Sequence, residues 1–262
     1  MTPQELFDLG ICHFEGKNGM AQDFQKAHDL FLEAAQAGHT EAQAYLGRMY
    51  AMGEGVEQNY EEAIKWIIPA AEGGNPDAMN RLGVRYDLGQ GIEKNKEQAF
   101  IWYTKSAEAG CVKAMINLGR ITYKEDRKSA YAWLTMAAET GNPEAMRMLG
   151  KLYYMDKNRE AAIEWFTKAA DADDTESMII LGDLYIKTNP AQSYKLYRKA
   201  ALKGSKKARR KFSDLYNGTA SIDVDIQEHI RLLYIWKDVH SLLSLAYFTM
   251  NGIGMKADAY EA

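Results

Sequence analysis

Residues 34–50, Ala34-Ala35-Gln36-Ala37-Gly38-His39-Thr40-Glu41-Ala42-Gln43-Ala44-Tyr45-Leu46-Gly47-Arg48-Met49-Tyr50, decide the fold, because their spacing returns along the chain. A small pair is followed four residues later by Gly38, and eight residues after that by Leu46-Gly47. The same frame holds Ala70-Ala71, Gly74 and Leu82-Gly83, then Ser106-Ala107, Gly110 and Leu118-Gly119, then Ala137-Ala138, Gly141 and Leu149-Gly150. It persists with drifting residues at Ala169-Ala170, Asp173 and Leu181-Gly182, and at Ala200-Ala201, Gly204 and Phe212-Ser213. Self-similarity of this kind marks one supersecondary unit copied along the chain.

Each unit reads as two helices. The first carries Ala42, Leu46, Met49 and Tyr50 at three- and four-residue steps, hence on one helical face. The second carries Ala-x-x-Trp and the small pair, as in Ala63, Trp66 and Ala70, or Ala162, Trp165 and Ala169. Glycine inside a helix costs about 1 kcal/mol relative to alanine. Its return at Gly47, Gly83, Gly119, Gly150 and Gly182 therefore predicts close approach of a neighbouring helix. The large tyrosines and tryptophans are expected to fill the space beside the small residues. Pro69, inside a second helix, is expected to kink its last turn.

The intervals between Leu-Gly pairs run 36, 36, 31, 32 and 31 residues. The two longer units contain Gly53-Glu54-Gly55-Val56 and Gly89-Gln90-Gly91-Ile92, whose paired glycines permit a wide left-handed turn between antiparallel helices. The later units have tight turns.

Taken together, the Leu-Gly-x-x-Tyr helix, the Gly-x-Gly-Val turn and the Ala-x-x-Trp…Ala-Ala-x-x-Gly helix resemble Sel-one-like repeats, a subclass of the tetratricopeptide superfamily. The resemblance is clear from Leu9-Gly10 to Leu181-Gly182 and continues in weakened form to about Leu245. It implies an all-α, right-handed α-solenoid of about seven antiparallel helix pairs, running as one repeat solenoid over residues 1–262 and degenerate after about residue 212. It further implies a protein that binds other proteins, often as a bacterial adaptor or in protein quality control. Several family members staple each repeat with a cysteine pair. This chain, with two cysteines, cannot.

At roughly 34 residues per unit, 262 residues hold the expected seven pairs, each buried only against its neighbours. Cys12 and Cys111 lie in distant units, so a bridge between them is not expected and a reducing compartment is. Met1–Gly10 contains two acids and no apolar run, so no secretory leader is read there, and no stretch approaches the ~18 apolar residues of a membrane span. A cytoplasmic, bacterial-type protein is the expectation.

Chemistry is sparse. Of the five histidines, none forms a two-histidine ligand motif; His13 occupies a tyrosine packing site, and His39 reads as an exposed loop residue. Gly-x-Gly at Gly53 and Gly89 is too short for a phosphate loop and recurs with the repeat. Glu61-Glu62 suits the positive end of a helix. No catalytic residue, metal site or cofactor is expected, and the Trp66, Trp102, Trp133 and Trp165 series is read as one repeated core position.

Binding residues follow from the repeat frame. In related two-helix solenoids the first helix lines the concave face, with outward positions two and five residues either side of the motif leucine. Here these give Glu41, Arg48, Asp77, Asn80, Asp87, Lys113, Arg120, Tyr123, Arg147, Lys151 and Asp183. Such a polar, mixed-sign groove suits an extended or helical protein segment held by many weak contacts. A second candidate is the stretch 195–211, with nine basic residues and no acid. The whole chain carries −4 and this stretch +9, so the remainder carries −13. Either it is a solvated face, or Lys206, Lys207, Arg209 and Arg210 dock an acidic partner surface. Nucleic acid fits less well, since the rest of the chain repels it. No small-molecule substrate is expected. Two roles use the same surface: a non-enzymatic scaffold or adaptor, and a dedicated inhibitor or immunity-type protein that wraps one enzyme.

At the other end, Leu242, Leu243, Leu245, Phe248 and Met250 read as another first helix, and Gly252-Ile253-Gly254-Met255 as another two-glycine turn. Ala262 falls at the first alanine of a second helix, which predicts an open apolar end and self-association through it.

Overall fold

A computed structural model describes residues 1–218, 226–236 and 239–250. Among these residues there are fifteen α-helices and no strand. They fall into two compact units, Met1–Thr140 and Gly141–Ala262.

The first unit holds α1 (Pro3–Glu15), α2 (Phe24–Gln36), α3 (Thr40–Met52), α4 (Tyr60–Glu72), α5 (Pro76–Leu88), α6 (Lys96–Glu108), α7 (Val112–Thr122) and α8 (Arg127–Glu139). Each odd-numbered helix packs on the even one that follows, and each even one on the next odd one. The second unit repeats this with α9 (Pro143–Met155), α10 (Arg159–Asp171), α11 (Thr175–Tyr185), α12 (Pro190–Leu202) and α13 (Lys206–Gly218). The alternation then changes: α15 (Val239–Met250) packs on both α13 and α14 (Ile226–Trp236). The all-α helix-pair expectation therefore holds in each unit. The expected turn at Gly252–Met255, and Ala262, lie outside the described residues.

Among α1 to α12 every helix but α7 begins at a side chain that caps it, and Cys111, before α7, makes no such bond. Asp23, Asn59, Asn95, Asp126, Asn158 and Asn189 each stand four residues before the repeated small position of a second helix (Ala27, Ala63, Ala99, Ala130, Ala162 and Ser193), and each accepts a backbone N–H of the first turn. First helices are capped by Thr2, His39, Asn75, Asn142 and Asp174. His39 is thus no exposed loop residue. Its Nδ1 accepts from the Ala42 N–H at 3.2 Å, and its ring stacks on Phe7.

The motif glycines are contact points between paired helices. A Cβ at Gly83 would meet the Tyr103 ring at 2.7 Å, one at Gly47 would meet Ile67 Cγ1 at 2.5 Å, and one at Gly150 would meet Phe166 at 2.7 Å. Gly119 meets Leu134 and Gly182 meets Tyr197 in the same way. The filler is therefore the residue after the tryptophan, not the tryptophan itself, which corrects the sequence reading. Ile67, Tyr103, Leu134 and Phe166 are fully buried, whereas Trp66, Trp102, Trp133 and Trp165 are half-buried. Lys105 and Lys168 lie over the Trp102 and Trp165 rings at 4.4 and 4.2 Å. Each glycine lies nearest one side chain of the facing helix, and the crossing of the two helices selects it.

Pro69 does not end its helix: α4 runs on to Glu72, and the Pro69 carbonyl accepts from the Gly73 N–H at 2.8 Å. The two-glycine turns do adopt the left-handed conformation, with φ of 72° and 74° at Gly53 and Gly55 and of 72° and 71° at Gly89 and Gly91. They are also docking points. Gly55 lies against the Phe24 backbone at the start of α2, and Gly91 against that of Tyr60 at the start of α4, so each wide turn seats on the preceding unit.

No helix among the described residues is long and apolar enough to cross a membrane. Cys12 and Cys111 are free thiols.

Candidate functional site

Several outward positions of the first helices do not stand apart in solvent. They join one first helix to the next. Asn117 Nδ2 on α7 donates to Asn80 Oδ1 on α5 at 3.0 Å, and Arg120 on α7 meets Asp87 on α5 at 2.6 Å. In the second unit Arg147 on α9 reaches Asp174 and Glu176 at 3.1 and 2.9 Å, and Lys151 reaches Glu176 at 2.9 Å. Lys211 on α13 pairs with Asp183 on α11 at 2.7 Å. Asp183 also accepts from the Tyr197 hydroxyl, whose ring covers Gly182. The links between successive first helices span 25 to 37 residues in sequence, so the repeat stacking creates them.

Their electrostatics follow. The hydrogen bond from Lys151 holds the Glu176 carboxyl below its ordinary range, with Arg147 adding to it. Burial pushes the Tyr103 hydroxyl up to about 12, beside the Asp87 and Arg120 pair. Neither group is tuned for proton transfer near neutral pH.

The remaining candidates divide. Glu41, Asp77 and Lys113 are exposed. Tyr123 is half-buried, with the Arg127 guanidinium 5.3 Å from its ring centre. Arg48 bonds Glu54 at 2.8 Å and lies over the Phe14 ring.

The basic stretch is largely neutralised by the fold. Arg198 pairs with Glu228, Lys203 with Asp173 at 2.9 Å, Arg210 with Asp214 at 3.7 Å and Lys211 with Asp183. Arg209 lies 5.4 Å from the Trp236 ring centre. Lys206 and Lys207 are left exposed in the first turn of α13, a turn with no acid. The plain sum of +9 overstates the patch a partner would meet.

One residue the frame did not single out is Arg81, one position before the motif leucine of α5. It is half-buried beside Arg48 and Arg85, and burial with the Arg48 charge lowers its proton affinity. Arg85 is buried, donates to Gln90 Oε1 at 2.6 Å and lies over the Tyr60 ring. The repeat frame passed over Arg81 because it stands one position off the outward ones.

Among the described residues no group of three His, Cys, Asp or Glu side chains could hold a metal ion.

The Sel1 repeat model matches residues 6–39, 40–75, 76–111, 112–142, 143–174, 177–205 and 239–262. Among solved structures, the chain is similar to c5321, a protective antigen of uropathogenic Escherichia coli with an SLR fold, at 27% identity and a TM-score of 0.73. That match covers 95% of this chain and 57% of the E. coli chain, so the chain spans little more than half of that relative's length. A Sel1 repeat protein from Oxalobacter formigenes matches at 24% identity and a TM-score of 0.72, over 87% of this chain and 98% of that one. The immunity protein Pa5087 from Pseudomonas aeruginosa shares the fold at 18% identity and a TM-score of 0.51, over 82% and 81% of the two chains. A search of curated proteins returned no match. Sel1 repeat proteins are in general protein-interaction scaffolds. With seven matched repeats on a stack of helix pairs, the chain belongs to the Sel1 repeat family.

Proposed function

We propose that this protein is a non-enzymatic scaffold that binds segments of another protein along the first helices of each unit taken by itself, α3, α5 and α7 in one and α9, α11 and α13 in the other. The observation that carries this reading is the set of cross-links Asn80–Asn117, Asp87–Arg120, Arg147–Glu176 and Asp183–Lys211. They fix the outward side chains of neighbouring repeats before any partner arrives, and side chains already ordered need not be ordered on binding. Glu41, Asp77 and Lys113 stay exposed for contact, and Lys206 and Lys207 extend the polar face at α13.

The test uses a photo-crosslinking residue placed at position 41, 77 or 113, and, as controls, at exposed second-helix positions 65 and 128. Partner crosslinks from the first-helix sites alone support the reading. Crosslinks from the second-helix sites alone refute it. The same face would serve a dedicated inhibitor, and one tightly bound enzyme whose turnover stops on binding separates that role from an adaptor's.

A further inference from the structure

One helix cap is unlike the rest. Among the side chains that cap α1 to α6 and α8 to α12, His39 alone is an imidazole. The others are Thr, Asn or Asp, side-chain types with no charge change where imidazole ordinarily has one, between about pH 5 and 8. A line of hydrogen bonds shows which nitrogen of the ring carries hydrogen. Gln4 Nε2 donates to Asp8 Oδ1 at 2.8 Å, which leaves Gln4 Oε1 as the acceptor facing His39 Nε2 at 3.1 Å. Nε2 therefore carries the hydrogen. Nδ1 is bare, and it accepts the Ala42 N–H at 3.2 Å. The ring also stacks on Phe7 of α1, with centroids 4.7 Å apart. His39 closes the first matched repeat, and its side chain, 11% exposed, joins α1 to the start of α3.

A proton on Nδ1 undoes this arrangement. A ring N–H cannot accept from the Ala42 N–H, so two donors would face each other. The ring would also place a positive charge at the N-terminus of α3, where the helix dipole disfavours one. The surrounding groups offer another seat. On α3, Glu41 Oε2 lies 3.6 Å from Nδ1. On α1, Asp8 is reached only through Gln4, and the Phe7 ring also meets Tyr45 of α3 edge-on. From α2 comes the neutral Ala34 carbonyl, which accepts the His39 backbone N–H. The near acceptor for a new ring N–H is therefore the Glu41 carboxylate.

We propose that His39 is an acid-operated latch between the first two repeats. Neutral, it caps α3 through Nδ1 and holds α1 through Gln4 and Phe7. Protonated, it exchanges the cap for the Glu41 carboxylate, leaves the first turn of α3 uncapped and draws its ring off Phe7. The latch stands on the geometry of this junction, and the scaffold reading does not depend on it.

The experiment follows backbone amide exchange and the Phe7 ring signals by NMR in the full chain, at about pH 7.5 and about pH 5. The Ala42 N–H is referred to those of Ala78 and Ala145, which donate to Asn75 and Asn142 Oδ1 at 2.9 and 3.0 Å. The ordinary pH dependence of exchange cancels in that ratio. In the wild type, acid should lower the relative protection of Ala42 about fivefold, the size of a lost helix cap, and the Phe7 signals should move with it. H39N, whose amide caps without taking up a proton, should keep its protection at both pH values. H39A should lack it at both. A wild-type ratio unmoved by acid overturns the latch, as does an equal acid-induced loss in H39N. H39A as protected as the wild type at about pH 7.5 would show that His39 is no cap, and overturns it too. Loss at Ala42 with the Phe7 signals unmoved would confine the change to α3 and refute a latch between repeats.

Discussion

Replacing Gly83 by alanine tests the packing logic most directly, because two effects of known sign oppose each other there. Gly83 is helical and absent from the positive-φ residues, so alanine suits its backbone and should stabilise α5 by about 1 kcal/mol. Against this, the new Cβ would lie 2.7, 2.8 and 3.1 Å from three atoms of the Tyr103 ring. Carbon atoms in ordinary contact sit at about 3.5–4.0 Å, so the ring or the whole of α6 must retreat by about 1 Å. Tyr103 is fully buried, so its ring cannot swing out into solvent without moving its neighbours. Overpacking of this kind costs about 1–3 kcal/mol, which leaves Gly83→Ala destabilising by up to about 2 kcal/mol. Tyr103→Ala removes the three ring atoms. In that background Gly83→Ala should become stabilising, by the helix-propensity gain of about 1 kcal/mol. Urea unfolding followed by circular dichroism at 222 nm reads all four corners of this double-mutant cycle, and a coupling of about 1–3 kcal/mol is expected. A coupling near zero, or a wild-type background stabilised by Gly83→Ala, would refute the close-approach explanation of every motif glycine.

Three further outcomes are expected. Gly91→Ala should cost more than about 1 kcal/mol in the same assay, since φ is 71° and its Cβ would run into the Tyr60 backbone; an unchanged midpoint would show that the turn does not seat on α4. His229 is buried against Tyr194 and Phe212, and burial lowers its pKa from 6.5 to about 4. The unfolded chain therefore takes up this proton first as pH falls, so its stabilising contribution is whole above about 6.5 and fades by about 3 kcal/mol on the way to pH 4; in H229Q that part of the pH dependence should vanish. Arg147→Ala leaves Asp174 and Glu176 without their shared cation and should cost about 1 kcal/mol at low salt, with E176Q partly relieving it; equal losses at low and high salt would deny the ladder an electrostatic role.

How much of this was legible depends on how far apart the deciding residues lie. The sequence by itself determined the helix pairs, their intervals and the positions of the tight contacts. Leu46-Gly47 and its copies impose a 3.6-residue face and a missing Cβ, and both are local facts. The caps were legible too, in an Asp or Asn immediately ahead of α2, α4, α6, α8, α10 and α12, though the small pairs and tryptophans drew the reading away from them. The packing partner of each glycine was not legible. Trp102 and Tyr103 are neighbours about 100° apart on one broad apolar face, and only the crossing of α5 and α6 sets the tyrosine on Gly83. The outward positions were found by counting, yet their meaning was decided by tertiary structure. Arg120 finds Asp87 across 33 residues, and Lys211 finds Asp183 across 28, because stacking brings successive first helices within side-chain reach. Charge counted along a chain is additive, whereas charge in a fold depends on which groups the packing brings together.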